Sequence, residues 1–536
     1  MSGDYRIFVG ELGRMGVERR VIQEMLNRNQ AKIIMRRLIT GIIAILTLTL
    51  SAGSQAKVYA QGRAQNQAQD KVTRTVLELG RTDNRTMQHA DYIARNIGGR
   101  LVGTHMLHHA EDWVAEQFRS WGLEVTMRDA VTINVGFDRG PWSGRYLAED
   151  GFTLHFGTPA YTAGTRGPQK GRAILEPKNQ QEFDRVKGAL KGAWVLLETG
   201  ATSGLAIDAS AKADSTRAAQ LAAGEEAVVP MYRQMVEAGV LGFIRPSKLP
   251  MQVLYNRAMC FDLTMDNLPT ACDILLDEHQ FETLKQKVTD RQEVLLEFDI
   301  RNHFFPGPMT YHNVLAIIRG TKHPDEYVLL GSHLDAYDIA TGSTDDGQGV
   351  CVTMEAARLL AAAGAKPERS IMFCIWTAEE YGLLGSKYFV ENKTVPWNKI
   401  SNYFNRDGGP LAAVSVTVPP AMYDDFVKAC KPLENYNPQI PFSVIKREGE
   451  PQERPTSAGG SDHAYFAMNG VPAISFREND VFGYDFNYRD IWHTEDDLYD
   501  HLIPEYLEHS AVVSAVTAYG IANLGHLLSR EGLYKE

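Results

Sequence analysis

The sequence is short of cysteine, of basic charge and of long apolar runs, and each shortage excludes a class of protein. Five cysteines in 536 residues cannot build the cross-linked framework of a small disulfide scaffold. Lys and Arg number 55 against 66 Asp and Glu, a formal net charge of −11, so the basic footprint of a nucleic-acid binder is missing and no nucleic-acid partner is expected. The one apolar run that could engage a membrane, Leu38 to Leu50, has thirteen residues, too few to cross a bilayer comfortably. No internal repeat and no coiled-coil heptad recurs. What is present, 44% hydrophobic and 23% charged residues with 46 Gly and 23 Pro, is an ordinary globular composition, long enough for two or three domains.

The amino-terminal apolar run is preceded by Met35-Arg36-Arg37 and followed by Ser54, Ala56, Val58 and Ala60. A basic segment, an apolar segment and small-residue cleavage options after Ala56 or Ala60 make an export signal, expected over 35–60. A buried or amphipathic helix is the alternative, but the run has no polar face. No Cys follows it, so no lipid anchor and no stable membrane attachment after cleavage are expected, and the chain is placed in the periplasm or outside the cell. Residues 1–34 lie upstream of a complete signal and are expected to be a misassigned extension, with Met35 the true start. Beyond residue 60 the chain has 46 basic and 62 acidic residues, a net of −16.

A polar Ala/Gln-rich tether over 61–70 leads into helix spacing at Ala90, Ile93 and Ile97, stopped by Gly98 and Gly99. A second helix is expected over 108–121, then a short strand over 123–127. From about 130 short β-like runs (172–175, 193–198, 242–245) alternate with turns and one helical stretch over 231–238. After Arg301 the order becomes strand over 312–318, strand over 327–330, helix over 349–363 and strand over 370–377. Strands that read as near-continuous apolar runs, such as Ile371 to Trp376, belong to a sheet covered on both faces, so the fold class is α/β. The boundaries expected are 61–130 for the first part of a split main domain, 131–303 for a β-rich insert and 304–530 for the larger part of the main domain.

The chemistry gathers at strand ends. Gly331-Ser332-His333-Leu334-Asp335 closes an apolar strand, at the edge where ligands bind in α/β sheets. In extended backbone His333 and Asp335 point to one side, so the Asp335 carboxylate is expected to accept a hydrogen bond from the His333 ring nitrogen that faces away from a metal. Alone this pair would more often be a surface turn. Asp345-Asp346 opens a helix, where a carboxylate also serves as a plain cap. Glu379-Glu380 follows the buried strand directly, and adjacent carboxylates repel unless a cation or a shared proton lies between them. Farther on stand Asp407, Ser461-Asp462-His463 and His493. Together these supply two imidazoles, three carboxylates and a spare carboxylate. A pair of metals 3.5–4 Å apart needs about that set, with one Glu left to move protons. Nitrogen and carboxylate donors without thiolate favour Zn²⁺, with Co or Mn open on the same grounds.

At these residues the chain resembles the di-zinc exopeptidases of metallopeptidase family 28, in the branch of aminopeptidase Y and plasma glutamate carboxypeptidase. The motifs are VLLGSHLDAYDIATGSTDDGQG from Val328, FCIWTAEEYGLLGS from Phe373 and NRDGG from Asn405, and the likeness covers about residues 75–525. It implies a mixed central sheet flanked by helices, the zinc exopeptidase fold, with the β-rich insert as a protease-associated domain. It implies two Zn²⁺ per chain, one held by His333 and Asp407, the other by Glu380 and His493, with Asp345 bridging. Glu379 is then the general base, Asp335 supports catalysis and Asp462 stands behind the ligands, while His463 is structural. It also implies a cis peptide bond between Asp345 and Asp346, and it likens Ile97 to His105 to the opening of the catalytic domain.

The expected activity is hydrolysis of terminal peptide bonds, most simply as an aminopeptidase. A carboxypeptidase or dipeptidase remains open, and Arg406, Arg477 and Arg489 lie near the motifs as candidates for a terminal carboxylate. A single-zinc glutaminyl cyclase resembles the same ligand set but lacks the insert, and an inactive binding ectodomain would have lost ligands. Where some bacterial relatives place a Tyr before the Ser-Asp-His motif, this chain has Ala458, with Tyr488, Arg489 or Trp492 as candidate replacements. The partner is a peptide, and a homodimer is compatible with this reading. Cys351 and Cys374 are expected in the core. Cys260 and Cys272 could pair, but no essential disulfide is expected.

Overall fold

Every residue of Arg369–Trp376 is buried, which is the state of a strand with neighbours on both edges and helices on both faces. In this computed structural model it is the middle of a five-stranded sheet. We label the strands β1 (Glu124–Asp138), β2 (His303–Ile318), β3 (His323–His333), β4 (Arg369–Trp376) and β5 (Ile400–Asn405), in the spatial order β1-β2-β4-β3-β5. β3 runs parallel to both β4 and β5, while β2 is antiparallel to β1 and β4. The sheet is therefore mixed, and the three parallel strands bring their carboxyl ends to one edge.

The structure describes residues 67–198, 231–253 and 257–535, with the isolated positions 20, 24 and 27. The expected signal lies outside these residues, as does the extension before it apart from those three positions. The chain divides into two compact units, Met1–Lys71 and Val72–Glu536, and the sheets and helices named in this section belong to the second. None of the described helices is long and apolar enough to cross a membrane.

Helices α1 (His105–Ser120), α2 (Gln348–Ala362) and α3 (Pro504–Ala522) pack in the large core that includes Phe118, Val352, Phe373 and Val512. The other face is filled by Trp376, Phe389, Tyr403 and Phe466. Thr104 caps α1, its hydroxyl accepting from the Leu107 amide at 3.2 Å. The strand expected over 123–127 is longer, because apolar positions continue to alternate inward at Val131, Ile133, Val135 and Phe137. It pairs with β2 until Asp138 meets His303.

Between β1 and β2 the chain builds a seven-stranded sheet. Its order is Trp142–Tyr146, Leu295–Ile300, Gln169–Leu175, Trp194–Leu196, Gly242–Ser247, Cys272–Asp277, Phe156–Gly157. It has its own core around Phe156, Trp194, Ile274 and Phe298, with the Trp194 and Phe298 rings edge to face at 4.7 Å. Cys260, Cys272, Cys351, Cys374 and Cys430 are all buried and outside disulfides, so no bridge joins Cys260 to Cys272.

Candidate metal and catalytic site

The parallel strands deliver the first residues. His333 ends β3, Glu379 and Glu380 follow β4 and Asp407 follows β5. Asp345 stands before α2, next to a cis peptide bond to Asp346. Gly349 is needed beside them, since a Cβ would lie 2.3 Å from Asp346 Oδ1 and 2.4 Å from the Arg406 carbonyl oxygen. His493 arrives from a loop, in left-handed backbone at φ 58°. His333, Asp345, Glu380 and His493 are all under 5% exposed.

Asp345 lies between the two imidazoles. Its Oδ1 is 3.2 Å from His333 Nε2, and its Oδ2 is 3.2 Å from His493 Nε2. His493 Nε2 is also 3.0 Å from Glu380 Oε2. His333 Nε2 is 3.8 Å from Asp407 Oδ2 and 4.0 Å from Glu379 Oε2. Two groups could hold a cation: Asp345, Glu380 and His493, and His333 and Asp407 with Asp346. The Asp346 oxygens are already engaged, accepting from the His333 amide at 3.2 Å, the Gln348 side chain at 2.8 Å and the Gly349 amide at 3.1 Å. Asp345 Oδ2 and Glu380 Oε1, in contrast, are buried without a hydrogen-bond partner, a state that a bound cation relieves. The buried nitrogen and oxygen donors therefore fit a divalent metal.

Asp335 has a different task from the one its spacing suggested. His333 Nδ1 is 2.8 Å from the Asp335 main-chain carbonyl oxygen, with the carboxylate Oδ1 at 3.9 Å. The carboxylate accepts instead from the Glu379 and Glu380 amides at 3.0 and 3.1 Å. It thus fixes the turn that presents both glutamates.

Burial works against the charge of Asp345, but the two imidazoles outweigh it and hold its carboxyl well below the usual range. Burial pushes Glu380 up to about 7, with Asp345 adding and His493 opposing. Burial also holds Glu379 well above the ordinary carboxylate range, with Glu380 and Asp407 adding and His333 opposing. Asp462 is fully buried and pushed up to about 7 by desolvation, against the attraction of His333. For His493, burial disfavours the charged ring, yet Glu380 and Asp345 raise it to about 9. Packed carboxylates that mutually oppose ionisation are surroundings that a divalent cation would compensate.

Several supporting residues were not singled out by sequence reasoning. Asp497 accepts from the Thr344 amide at 2.6 Å, the Thr344 hydroxyl at 2.5 Å and the Asp345 amide at 3.2 Å. Arg100, fully buried, donates to the carbonyls of Thr341 and Gly342 at 2.9 Å each and to that of Leu334. Acid clustering in Thr494-Glu495-Asp496-Asp497 was a visible signal; nothing flagged Arg100 beyond its place in the 97–105 segment.

Asp345, Glu380, Asp407 and His493 line a cavity of about 350 Å³, with Glu379, Gly382, Leu383, Ala458, Gly459, Gly460, Tyr488 and Trp492. Tyr488 and Trp492 thus face the space left by Ala458, whereas Arg489 lines a neighbouring cavity. Arg406 is turned into the protein, bonding Gln348 at 3.0 Å, Glu478 at 2.6 Å and the Leu411 carbonyl at 2.8 Å. Arg477 donates to the Thr417 hydroxyl at 2.9 Å. His463 starts a short helix, and burial lowers its pKa.

Residues 313–518 match the model of Peptidase family M28. Carboxypeptidase Q of Rattus norvegicus is 23% identical over 510 residues, covering 92% of this chain and 100% of that protein. A probable glutamate carboxypeptidase of Arabidopsis thaliana is 36% identical over 174 residues, covering 30% of this chain and 25% of that protein. Among solved structures, a peptidase M28 precursor from Shewanella amazonensis SB2B aligns with TM-score 0.56 at 21% identity, over 87% of this chain and 98% of that one. A zinc aminopeptidase from Bacillus subtilis aligns with TM-score 0.51 at 17% identity, over 84% and 97%. At these identities the two structures show a shared fold.

Proposed function

We propose that this chain, whose residues 313–518 match peptidase family M28, is a metallopeptidase of that family: an exported, zinc-dependent exopeptidase with two metals per chain, acting as an aminopeptidase. The carrying observation is that the two carboxylate oxygens of Asp345 face different imidazoles, each at 3.2 Å. Asp345 is then shared, His333 and Asp407 complete one subsite, and Glu380 and His493 complete the other. Zinc is the metal named for the Bacillus subtilis relative, and the donor set suits it. When bound, two zinc ions would polarise the scissile carbonyl and acidify the attacking water.

Glu379 takes the proton of that water and hands it to the leaving amine. Its raised affinity for a proton suits a base that must hold the proton through the reaction. Asp335 keeps the glutamate turn in place through two amide bonds, and Asp462 stands behind His333 and Asp407. Tyr488 and Trp492 line the space over the site and close it around substrate. Export is supported by the leader at 35–60.

The aminopeptidase reading rests on the cavity lining, which among the described residues carries neither Lys nor Arg. With the metal-binding acids compensated by zinc, the lining still offers no side-chain cation to pair with a terminal carboxylate. One observation favours a carboxypeptidase: Lys248 and Arg489 line the next cavity, of about 430 Å³, though Glu278 and Asp490 line it too. Peptides blocked at either end decide the matter. Acetylating the substrate amine is expected to stop cleavage while amidating the carboxylate leaves it; the reverse pattern would establish the carboxypeptidase, and cyclisation of amino-terminal glutamine without peptide cleavage would overturn both.

A further inference from the structure

Metal-binding histidines nearly always have the second ring nitrogen tied by a hydrogen bond, which fixes the ring's tautomer and direction. His333 has this tie, to the Asp335 carbonyl. His493 lacks it: its Nδ1 is buried without a hydrogen-bond partner. The His493 ring is instead sandwiched by Trp492 and Tyr337, with centroids 3.8 and 4.1 Å away. Stacking restrains the ring plane but not the backbone that carries it, and that backbone is left-handed, a conformation disfavoured for a residue with a Cβ.

The backbone restraint comes from the inserted sheet. The segment after its Gly242–Ser247 strand lies against the His493 loop, with Gln252 bridging Thr494 in antiparallel fashion. Val253 donates its amide to the His493 carbonyl at 3.3 Å, and Glu495 donates its amide to the Met251 carbonyl at 3.0 Å. The Gln252 side chain donates to the Trp492 carbonyl at 3.3 Å. Glu495 closes the clasp: Oε1 accepts from the Met251 amide at 2.9 Å, and Oε2 is 2.8 Å from His155 Nε2. Met251 and Val253 are anchored by burial against Leu275, so the clasp is built on a packed surface.

We propose that the inserted sheet is the positioning element for His493, and that the Glu495 clasp to Met251 and His155 sets metal affinity at the Asp345/Glu380/His493 subsite without setting it at the His333/Asp407 subsite. The inference rests on the proposed two-metal site. Glu495 is a positioning residue: it touches neither metal nor substrate and acts through His493.

The test is zinc titration of the metal-free full-length chain, followed by calorimetry and, with Co²⁺, by the visible spectrum of each site. Glu495→Ala is expected to weaken one of the two zinc affinities by about 10–100-fold, the range for lost outer hydrogen bonds at metal sites, and to leave the other unchanged. Glu495→Gln, which keeps the shape and the acceptor for Met251, should recover most of the loss, and His155→Ala should give a smaller loss at the same site. Lys287→Ala, which breaks an ion pair with Asp150 elsewhere in the insert, should change neither affinity. Unchanged affinities in the Glu495 and His155 variants, or an equal fall at both sites, would overturn the inference while leaving the two-metal reading intact. Wild-type protein that takes up fewer than two zinc ions would overturn both. Should Glu495→Ala not fold, the one-sided loss expected of His155→Ala carries the same comparison.

Discussion

The two halves of the site are held by different means. His333 and Asp407 stand at the ends of neighbouring parallel strands, so the hydrogen-bonded ladder of the central sheet sets their separation. His493 stands on a loop, and its place depends on side-chain and main-chain contacts from the insert and from Asp497. Glu380 sits between these cases, one residue beyond the glutamate that follows the strand-end turn, and is tied back by Asp335. The difference teaches where this molecule is rigid by architecture and where it is rigid by contacts. A sheet edge places a ligand at little cost per residue, whereas a loop ligand needs its own restraints against lost conformational entropy.

Two substitutions test whether chemistry and metal binding can be separated across that divide. The largest effect is expected for Glu379→Gln, which keeps shape and removes the base. Turnover should fall by about 10²–10⁴-fold, the usual contribution of general acid–base catalysis, with both zinc ions retained by metal analysis. If metal is lost along with activity, Glu379 is a ligand. Next comes Asp345→Asn, which neutralises the one side chain common to both halves. Both zinc affinities should weaken, in contrast to the one-sided effect of the Glu495 clasp; an unchanged zinc content would remove Asp345 from the bridging role.

The same divide explains how much could be read from the chain. The central strands and the motif residues were legible because each motif couples an apolar run to polar groups within a few residues. This held for Tyr327 to His333 and for Ile371 to Glu380, whereas Asp407 was noticed without the strand Ile400–Asn405 that carries it. β1 was read too short because two consecutive exposed residues, Arg128 and Asp129, interrupt the alternation of Val125 and Met127, which resumes only at Val131. Asp335 was noticed, but its partners are main-chain amides 44 and 45 residues away, which no local spacing reveals. Asp497, Arg100 and Glu495 went unrecognised for the same reason: they bind backbone groups 152, 241 and 244 residues distant. Residues that act on the chemistry leave local patterns; residues that hold loops act through backbone geometry and leave almost none.

A smaller effect separates the halves by pH. Asp462 lies near His333, Asp335 and Asp407, whereas Asp497 supports Asp345 and the His493 loop. Burial pushes Asp462 up to about 7 and Asp497 up to about 6, against about 3.9 for an unfolded aspartate. A raised acid keeps its proton in the fold when the unfolded chain has already lost it. Between pH ~4 and the folded value the unfolded state therefore binds fewer protons, and stability falls as pH rises, levelling off above the folded value. In metal-free protein, Asp462→Asn should remove the share of this fall that Asp462 contributes and leave the shares of Asp497, which ends near pH 6, and of Glu380 and Glu379, which reach about pH 7 and beyond. Thermal melts of metal-free wild type and variant from about pH 4.5 to 8 read the difference directly, because the variant's fall should be shallower. Identical slopes throughout would mean that Asp462 is not a buried, protonated acid behind the His333 half. Zinc should flatten the wild-type profile as well, because a bound cation compensates the buried carboxylates of both halves.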